Sequence, residues 1–280
     1  MSSSKEDTPL ETLRSWSINA ASISAKSASV LLCASGGRAP SETTPVNKAT
    51  GHVLGRCITL LNADEKERNA NVALGARKLD GTVIDAGTEF SFNASIGERG
   101  VEQGYKPARV IVDGKNESGI AGGICQLSST LYNAVLLSGM EVTERHAHSR
   151  PVPYLPAGLD ATVSYGARDL KWVNTSGSPV TIRAEASGDR LEVWLEGEGP
   201  APDIRLFTEV VETIPSRPMS PPDATGRSVA PPRPGASDKI RRGVEGYRVR
   251  VWAEMPTPGG GRVRELVSED LYEPVHAIVD

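Results

Sequence analysis

The sequence predicts an α+β fold in which a mostly antiparallel sheet packs on a central helix, with a small β module at the C-terminal end. Short segments that alternate apolar and polar residues recur along the chain, and 28 glycines and 20 prolines among 280 residues indicate many turns between them. One segment, which starts at Cys125, has apolar residues at the spacing of a buried helical face instead. A helix packed on an antiparallel sheet is the α+β class.

Composition excludes several classes of protein. The 31 basic and 35 acidic residues give a net charge of −4, so no nucleic-acid partner is expected. No apolar run approaches the roughly 18 to 20 residues that span a bilayer, so no integral membrane segment is expected either. Cys33, Cys57 and Cys125 have no C-x-x-C spacing, and the four histidines are scattered, although His146 and His148 would share one strand face. We therefore expect no metal and no cofactor.

Changes in composition divide the chain into four parts. Residues 1–50 are rich in Ser, Thr, Ala and Pro and predict a flexible leader, while 51–200 predict the core domain. Residues 201–240 are Pro-rich and predict a linker, and 241–280 predict a small β-hairpin module. A secretory signal begins with a basic region, but acidic residues follow Lys5 directly in this chain. We therefore recognise no secretory signal.

Periodicity predicts the elements in chain order. A short helix is predicted over 69–79 and a longer one from Cys125 onwards. Strands are predicted over 53–60, 82–93, 108–112, 140–149, 170–173, 179–184 and 190–196, and a C-terminal hairpin over 247–252 and 262–267.

The stretch from Gly119 to Ala134 is the strongest functional signal. Its glycine-rich turn runs directly into the predicted helix, so Cys125 lies at a helix N-terminus. Unpaired N–H groups and the helix dipole favour an anion there and lower the pKa of a thiol. Gly122 and Gly123 would let a substrate carbonyl approach the sulfur and the neighbouring N–H donors. The alternative is that Cys125 is a small buried residue that packs the helix on the sheet.

Several motifs, taken with their order and spacing, resemble the VanW family over about residues 51–200. They are Arg68-Asn69, 87–93, Gly104-Tyr105, 122–134, 145–149 and 154–163. The segment 246–279 is similar to one that commonly follows the VanW core. The family is named for an accessory gene of glycopeptide-resistance clusters, and some members resemble cell-wall enzymes that use the motif cysteine as an L,D-transpeptidase nucleophile.

The resemblance implies that Cys125 is a nucleophile, and a nucleophilic cysteine needs a base. His148, at the end of a predicted strand, is the first candidate, although His146 would point to the same face. Asp160 could hold the histidine tautomer or could simply cap a turn. Ala121 departs from the family, whose glycine run is one residue longer, so a positive φ at this position would strain the turn.

Candidate substrate-binding residues surround the motif, and each has a structural alternative. Arg145 could bind a carboxylate of the substrate or be a solvated strand residue. Gln126 and Ser128 could orient substrate or cap the helix, and Tyr154 could line a groove or pack in the core. With Gly122 and Gly123, they complete the predicted set.

Two functions from different classes are consistent with these residues. The first is acyl transfer by a Cys125 thiolate on peptidoglycan stem peptides, of L,D-transpeptidase or carboxypeptidase type. The second is a non-catalytic accessory protein of glycopeptide resistance that binds peptidoglycan or a precursor. Either partner implies the cell envelope as the location, or the cytoplasm if the partner is a precursor. A purely structural domain would require a deeply buried Cys125 with no histidine nearby.

Overall fold

The structure is a computed structural model that describes residues 32–33, 51–112, 115–219, 239–241 and 243–279. Most of the predicted leader and the middle of the predicted linker lie outside the described residues. Within the described part, the helices are α1 (Lys66–Leu79), α2 (Phe92–Ile96) and α3 (Ile124–Leu137). The strands are β1 (Leu32–Cys33), β2 (His52–Leu60), β3 (Val83–Ile84), β4 (Glu89–Ser91), β5 (Pro107–Val112), β6 (Lys115–Ile120), β7 (Glu141–Glu144), β8 (Lys171–Val173), β9 (Val180–Ser187), β10 (Arg190–Gly197), β11 (Arg205–Ile214), β12 (Pro218–Met219), β13 (Lys239–Arg241), β14 (Gly246–Pro256), β15 (Arg262–Tyr272) and β16 (Ala277–Val279).

The main sheet has the strand order β1-β2-β10-β9-β3, and all of its pairings are antiparallel. Its strands alternate buried and partly exposed residues, as β10 does with Leu191, Val193 and Leu195 buried. Helices α1 and α3 pack on this sheet and on each other. The α+β class with mostly antiparallel sheets is confirmed.

Helix α3 is buried on all sides, whereas its apolar spacing predicted one buried face. Every residue of α3 except Cys125 is buried. The helix lies between β2 and β10 on one side and the segment 159–163 on the other, and its polar side chains bond to these neighbours. For example, Gln126 donates to Leu60, and Asn133 donates to the carbonyl of Leu159. A buried polar group with such partners does not carry the cost of an unpaired one.

Smaller sheets surround this core. Strands β4, β8 and β7 form an antiparallel sheet in the order β4-β8-β7, where the Phe90 and Trp172 rings lie 5.4 Å apart. Strands β5 and β6 form a hairpin that leads into the glycine turn before α3. The only parallel pairing among the described strands joins β12 to β16, beside β13.

The C-terminal sheet is larger than the predicted hairpin. Strand β14 pairs with β15, as predicted, but also with β11, which comes from the predicted linker. Leu206 of β11 is buried in the core, which accounts for the pairing of this segment with β14. Val251 and Ala253 of β14 belong to the same apolar cluster as the core domain. The buried face of the C-terminal sheet therefore packs directly on the core.

Three other boundaries differ from the predictions. Of the predicted strand segment 82–93, β3 and β4 lie in different sheets, and Phe92 and Asn93 begin α2 because the Ser91 side chain caps that helix by accepting the N–H of Ala94. Helix α1 begins three residues before the predicted start, and the predicted strand 140–149 ends at Glu144. Beyond Glu144, Thr162 donates its N–H to the carbonyl of His146 at 2.7 Å, so the chain follows the segment 159–163 instead of the sheet. None of the helices in the described part of the chain has the length and apolarity to cross a bilayer.

Candidate active site

The turn before α3 has the backbone conformation of a glycine turn. Ala121 has φ of 62° and Gly123 has φ of 103°, both in the left-handed region. A Cβ at Gly123 would come within 2.8 Å of Val72 Cγ2 and 2.9 Å of Arg68 Cγ, so only glycine fits there. Ala121 is the one non-glycine residue with positive φ among those described, which bears out the strain expected at this position.

Asn71, a buried residue of α1, holds this turn in place. Its side-chain amide donates to the carbonyls of Lys106 at 2.9 Å and Gly122 at 3.1 Å. Its Oδ1 accepts the N–H of Lys106 at 2.8 Å. Helix α1 therefore fixes both ends of the connection from β5 to α3.

Cys125 is the second residue of α3, and its thiol is free and half-buried. The sulfur lies 3.6 Å from Thr162 Oγ1 and 3.5 Å from the carbonyl oxygen of Val163. The side chain of His148 also interacts electrostatically with the thiol. Within the described residues, the backbone N–H groups of Gly123 and Cys125 have no hydrogen-bond acceptor. The site thus combines a thiol and an imidazole at the N-terminal end of α3.

His148 lies between Cys125 and Asp160. Its Nδ1 is 2.6 Å from Asp160 Oδ2, which also accepts the backbone N–H of His148 at 2.6 Å. Because Nδ1 bonds to the carboxylate, Nε2 is the ring nitrogen that remains free to interact with Cys125. His146, the alternative base, instead contacts Glu144 at 3.0 Å, and 40% of its side chain is exposed.

The three groups change each other's protonation. Burial disfavours the thiolate, yet the hydrogen bond and charge of His148 outweigh it and lower the pKa of Cys125 to about 7. Burial also disfavours the imidazolium, but the hydrogen bonds to Asp160 and Cys125 raise the pKa of His148 to about 9. Against its own burial, Asp160 has a lowered pKa because His148 and Arg145 stabilise the carboxylate. The lowered pKa of Cys125 and the raised pKa of His148 both favour a thiolate next to an imidazolium near neutral pH.

Asp160 is completely buried and is surrounded by donors from distant parts of the chain. Tyr272 of β15 donates its hydroxyl to Asp160 Oδ1. Arg145 Nε donates to the backbone carbonyl of Asp160 at 2.7 Å, and Arg145 Nη2 lies 3.5 Å from Oδ1. A carboxylate with these partners is a fixed acceptor for the histidine.

Of the remaining predicted residues, some lie near the thiol and others make contacts inside the protein that hold the site in place. Gln126 and Ser128 point into the protein, where Ser128 donates to the carbonyl of Ala161 at 2.7 Å. Arg145 has an exposed side-chain fraction of only 7%, and Nη1 donates to both oxygens of Asp270 at 2.6 Å. Tyr154 is half-buried and interacts electrostatically with Cys125, and Arg68 lies over its ring. Of this group, Tyr154 is the side chain that borders the thiol.

Sequence reasoning missed four residues around the site: Asn71, Arg99, Asp270 and Tyr272. Burial lowers the pKa of Arg99, and its interaction with Cys125 opposes this effect. Arg99 also donates to Asn93 Oδ1 at 2.9 Å and lies over the ring of Tyr165. The resemblance covered the segment of Asp270 and Tyr272 but indicated no role for either residue.

A cavity of about 350 Å³ lies between the start of β7, the C-terminal part of α3 and β15. Arg145 and Asp270 line it, with Tyr132, Glu144 and Ser268 among the other residues. Cys125, His148 and Asp160 are not among its lining residues, so this cavity is separate from the thiol. In the described part of the chain, no cluster of His, Cys, Asp and Glu could hold a metal ion.

The fold and the site define a class of protein: an α+β domain with a Cys-His-Asp arrangement whose thiol lies at a helix N-terminus. Residues 67–195 match the family model described as VanW like protein. These residues therefore form a VanW-like domain.

Two curated relatives support the family. An uncharacterised protein of Bacillus subtilis, YoaR, is 42% identical over 142 residues, which are 51% of this chain and 47% of YoaR. The Vancomycin B-type resistance protein VanW of Enterococcus faecalis is 32% identical over 106 residues, which are 36% of this chain and 38% of that protein. The chain therefore spans less than half the length of the curated relatives it matches.

One solved structure is also similar. The crystal structure of HP0197-G5 is 20% identical, and the match covers 28% of this chain and 95% of that chain. Its TM-score of 0.16 is too low to indicate a shared fold.

Proposed function

We propose that this protein is a cysteine acyltransferase that acts on peptide stems of the bacterial cell wall. The observation that carries the proposal is the Cys125–His148–Asp160 arrangement at the start of α3. A thiolate at neutral pH, a histidine that can exchange a proton with the substrate and a carboxylate that fixes the histidine are the parts that acyl transfer requires.

The proposed reaction has two steps. The Cys125 thiolate attacks a peptide carbonyl carbon, and the N–H groups of Gly123 and Cys125 stabilise the oxyanion. The carbon–nitrogen bond then breaks, His148 gives its proton to the leaving amine, and a thioester remains on Cys125. An amine of a second stem attacks the thioester, loses its proton to His148 and releases the thiolate. If water attacks instead, the product is a carboxylate and the protein is a carboxypeptidase.

The charges near the thiol and the relatives support the proposed substrate class. Arg99 interacts electrostatically with Cys125 and donates its hydrogen bond to a neutral amide, so we assign it as the cation that would attract a substrate carboxylate. The name of the Enterococcus faecalis relative links the family to vancomycin resistance. Peptidoglycan stem peptides carry carboxylates and amines and lie in the cell envelope, where we propose that this protein acts.

The test is incubation of the full chain with a stem tetrapeptide, followed by intact-mass spectrometry. The proposal expects an acyl adduct on Cys125, release of the terminal amino acid, and a new peptide when an acceptor amine is added. Cys125→Ser and His148→Ala should lower turnover by at least about 100-fold, the size of a general acid–base contribution. His146→Ala is the matched control and should retain turnover.

The alternative function, a non-catalytic protein that binds peptidoglycan or a precursor, is an outcome of the same experiment. In that case the tetrapeptide binds without adduct or cleavage, and Cys125→Ser binds it as tightly as the unchanged protein. Binding without turnover under conditions in which Cys125 is ionised would overturn the enzyme proposal.

A further inference from the structure

The C-terminal sheet contacts the candidate active site through two side chains of β15. Tyr272 is completely buried, donates to the Asp160 carboxylate and accepts the N–H of Gly158 at 2.6 Å. Asp270 pairs with Arg145 through two contacts of 2.6 Å. These contacts join residues that are 112 and 125 positions apart in the sequence.

Close backbone packing holds the two parts together at this point. Gly158 has φ of 92°, and a Cβ there would lie 2.5 Å from Val251 Cγ2 of β14. Arg145 Nη2 also donates to the carbonyl of Gly158 at 3.0 Å. The segment that carries Asp160 is therefore held from one side by Arg145 and from the other by the C-terminal sheet.

We propose that Tyr272 and Asp270 are positioning residues for the candidate active site, so that the C-terminal sheet holds Asp160 in the orientation that His148 requires. Tyr272 acts directly on the carboxylate. Asp270 acts through Arg145, since it neutralises a buried guanidinium next to Asp160. This proposal rests on the proposed function, because it assigns the C-terminal sheet a role in the reactivity of Cys125.

Several titratable groups lie around the His148–Asp160 pair. They are Cys125 and Tyr132 of α3, Arg145 after β7, Tyr154, and Asp270 and Tyr272 of β15. Arg145 and Asp270 are the charged groups among these that do not belong to the proposed Cys-His-Asp set. A neutral residue in place of Asp270 therefore removes one negative charge from this cluster and leaves Arg145 with Asp160 as its carboxylate contact.

The first test measures the rate at which iodoacetamide alkylates Cys125 from pH 5 to 10 in the full chain, by mass spectrometry. Tyr272→Phe removes only the hydroxyl, and we expect the apparent pKa of Cys125 to rise by at least about half a unit as the histidine contact loosens. Tyr247→Phe, on the neighbouring strand β14, is the control and should leave this pKa unchanged. A lower melting temperature of Tyr272→Phe with an unchanged pKa would mean a purely structural role and would overturn the proposal.

The second test uses Asp270→Asn and follows the His148 ring protons by NMR across pH. Loss of the negative charge of Asp270 should lower the pKa of His148 by about half a unit or more. Glu269→Gln, whose exposed partner is Arg250, is the control and should have no effect. An unchanged His148 titration in folded Asp270→Asn would contradict the role of Asp270.

The two proposals fail in different ways. If Cys125 is ionised near neutral pH and both variants leave the titrations unchanged, only the positioning role is wrong. If the variants shift the titrations but no stem peptide is processed, the positioning role stands and the proposed substrate is wrong.

Discussion

At the scale of single residues, the chemistry depends on the charge next to Cys125. The sulfur is half-buried and would favour the neutral thiol without His148, since burial in a protein penalises an ion. His148 supplies the compensating charge, and Asp160 keeps that charge on the ring. The predicted reactivity of Cys125 therefore depends on His148 as well as on the cysteine itself.

Arg99 should select negatively charged substrates. The quantity to measure is the rate of Cys125 alkylation by anionic iodoacetate divided by the rate with neutral iodoacetamide. We predict that Arg99→Gln lowers this ratio about 3-fold or more. The reason is the loss of one positive charge in the electrostatic range of the sulfur. Arg190→Gln, an exposed residue of β10, should keep the ratio. An identical ratio in Arg99→Gln and the unchanged protein would argue against a carboxylate-binding role.

Ala121 should tolerate glycine better than an ordinary position does. A non-glycine residue in the left-handed region costs about 1–2 kcal/mol, and substitution by glycine removes this strain. The greater conformational freedom of glycine in the unfolded chain offsets about 0.5–1 kcal/mol of that gain. Ala121→Gly should therefore change the free energy of unfolding by between about 0 and +1.5 kcal/mol, measured by urea denaturation. Ala70 is an exposed residue of α1, and Ala70→Gly should lower the free energy of unfolding by about 1 kcal/mol. Equal losses in both variants would contradict the strain at Ala121.

At the scale of elements, α1 and α3 form the support of the site. The glycine turn before α3 could be predicted from its composition, because few other residues adopt its backbone angles. Its attachment to α1 could not, since the Asn71 side chain reaches Gly122 across 51 residues of sequence. Each element is predicted from its local sequence pattern, whereas these contacts depend on how the elements pack.

Asn71 should therefore matter more than its neighbour Asn69. Asn71→Ala leaves buried groups of Lys106 and Gly122 without partners, and we expect a loss of about 2 kcal/mol or more in the free energy of unfolding and slower alkylation of Cys125. Asn69 donates to an exposed carbonyl of Asn62, so Asn69→Ala should lose less than about 1 kcal/mol. Urea denaturation of both variants checks this order, and the reverse order would refute the role of Asn71 in the turn.

At the scale of the whole molecule, the strands of the core and the helix at Cys125 could be predicted, because their periodicity is local. The choice of His148 over His146 required the family resemblance, since both residues occupy the same face of an ideal strand. That strand ends at Glu144, and the segment 145–148 then follows the segment that carries Asp160. The contribution of β15 was not predictable, because the Tyr272 hydroxyl meets Asp160 only when the C-terminal sheet packs on the core.

The central claim is that Cys125 and His148 form a thiolate–imidazolium pair, and the most direct measurement is the pH dependence of Cys125 alkylation by iodoacetamide in the folded protein. Reactivity should rise with an apparent pKa of about 7, because the lowered pKa leaves the thiolate populated above that pH. His148→Ala should raise this pKa to the ordinary value of about 8.5 or higher, and His146→Ala should not change it. A pKa near 8.5 in the unchanged protein, or a Cys125 that reacts only after unfolding, would contradict the account.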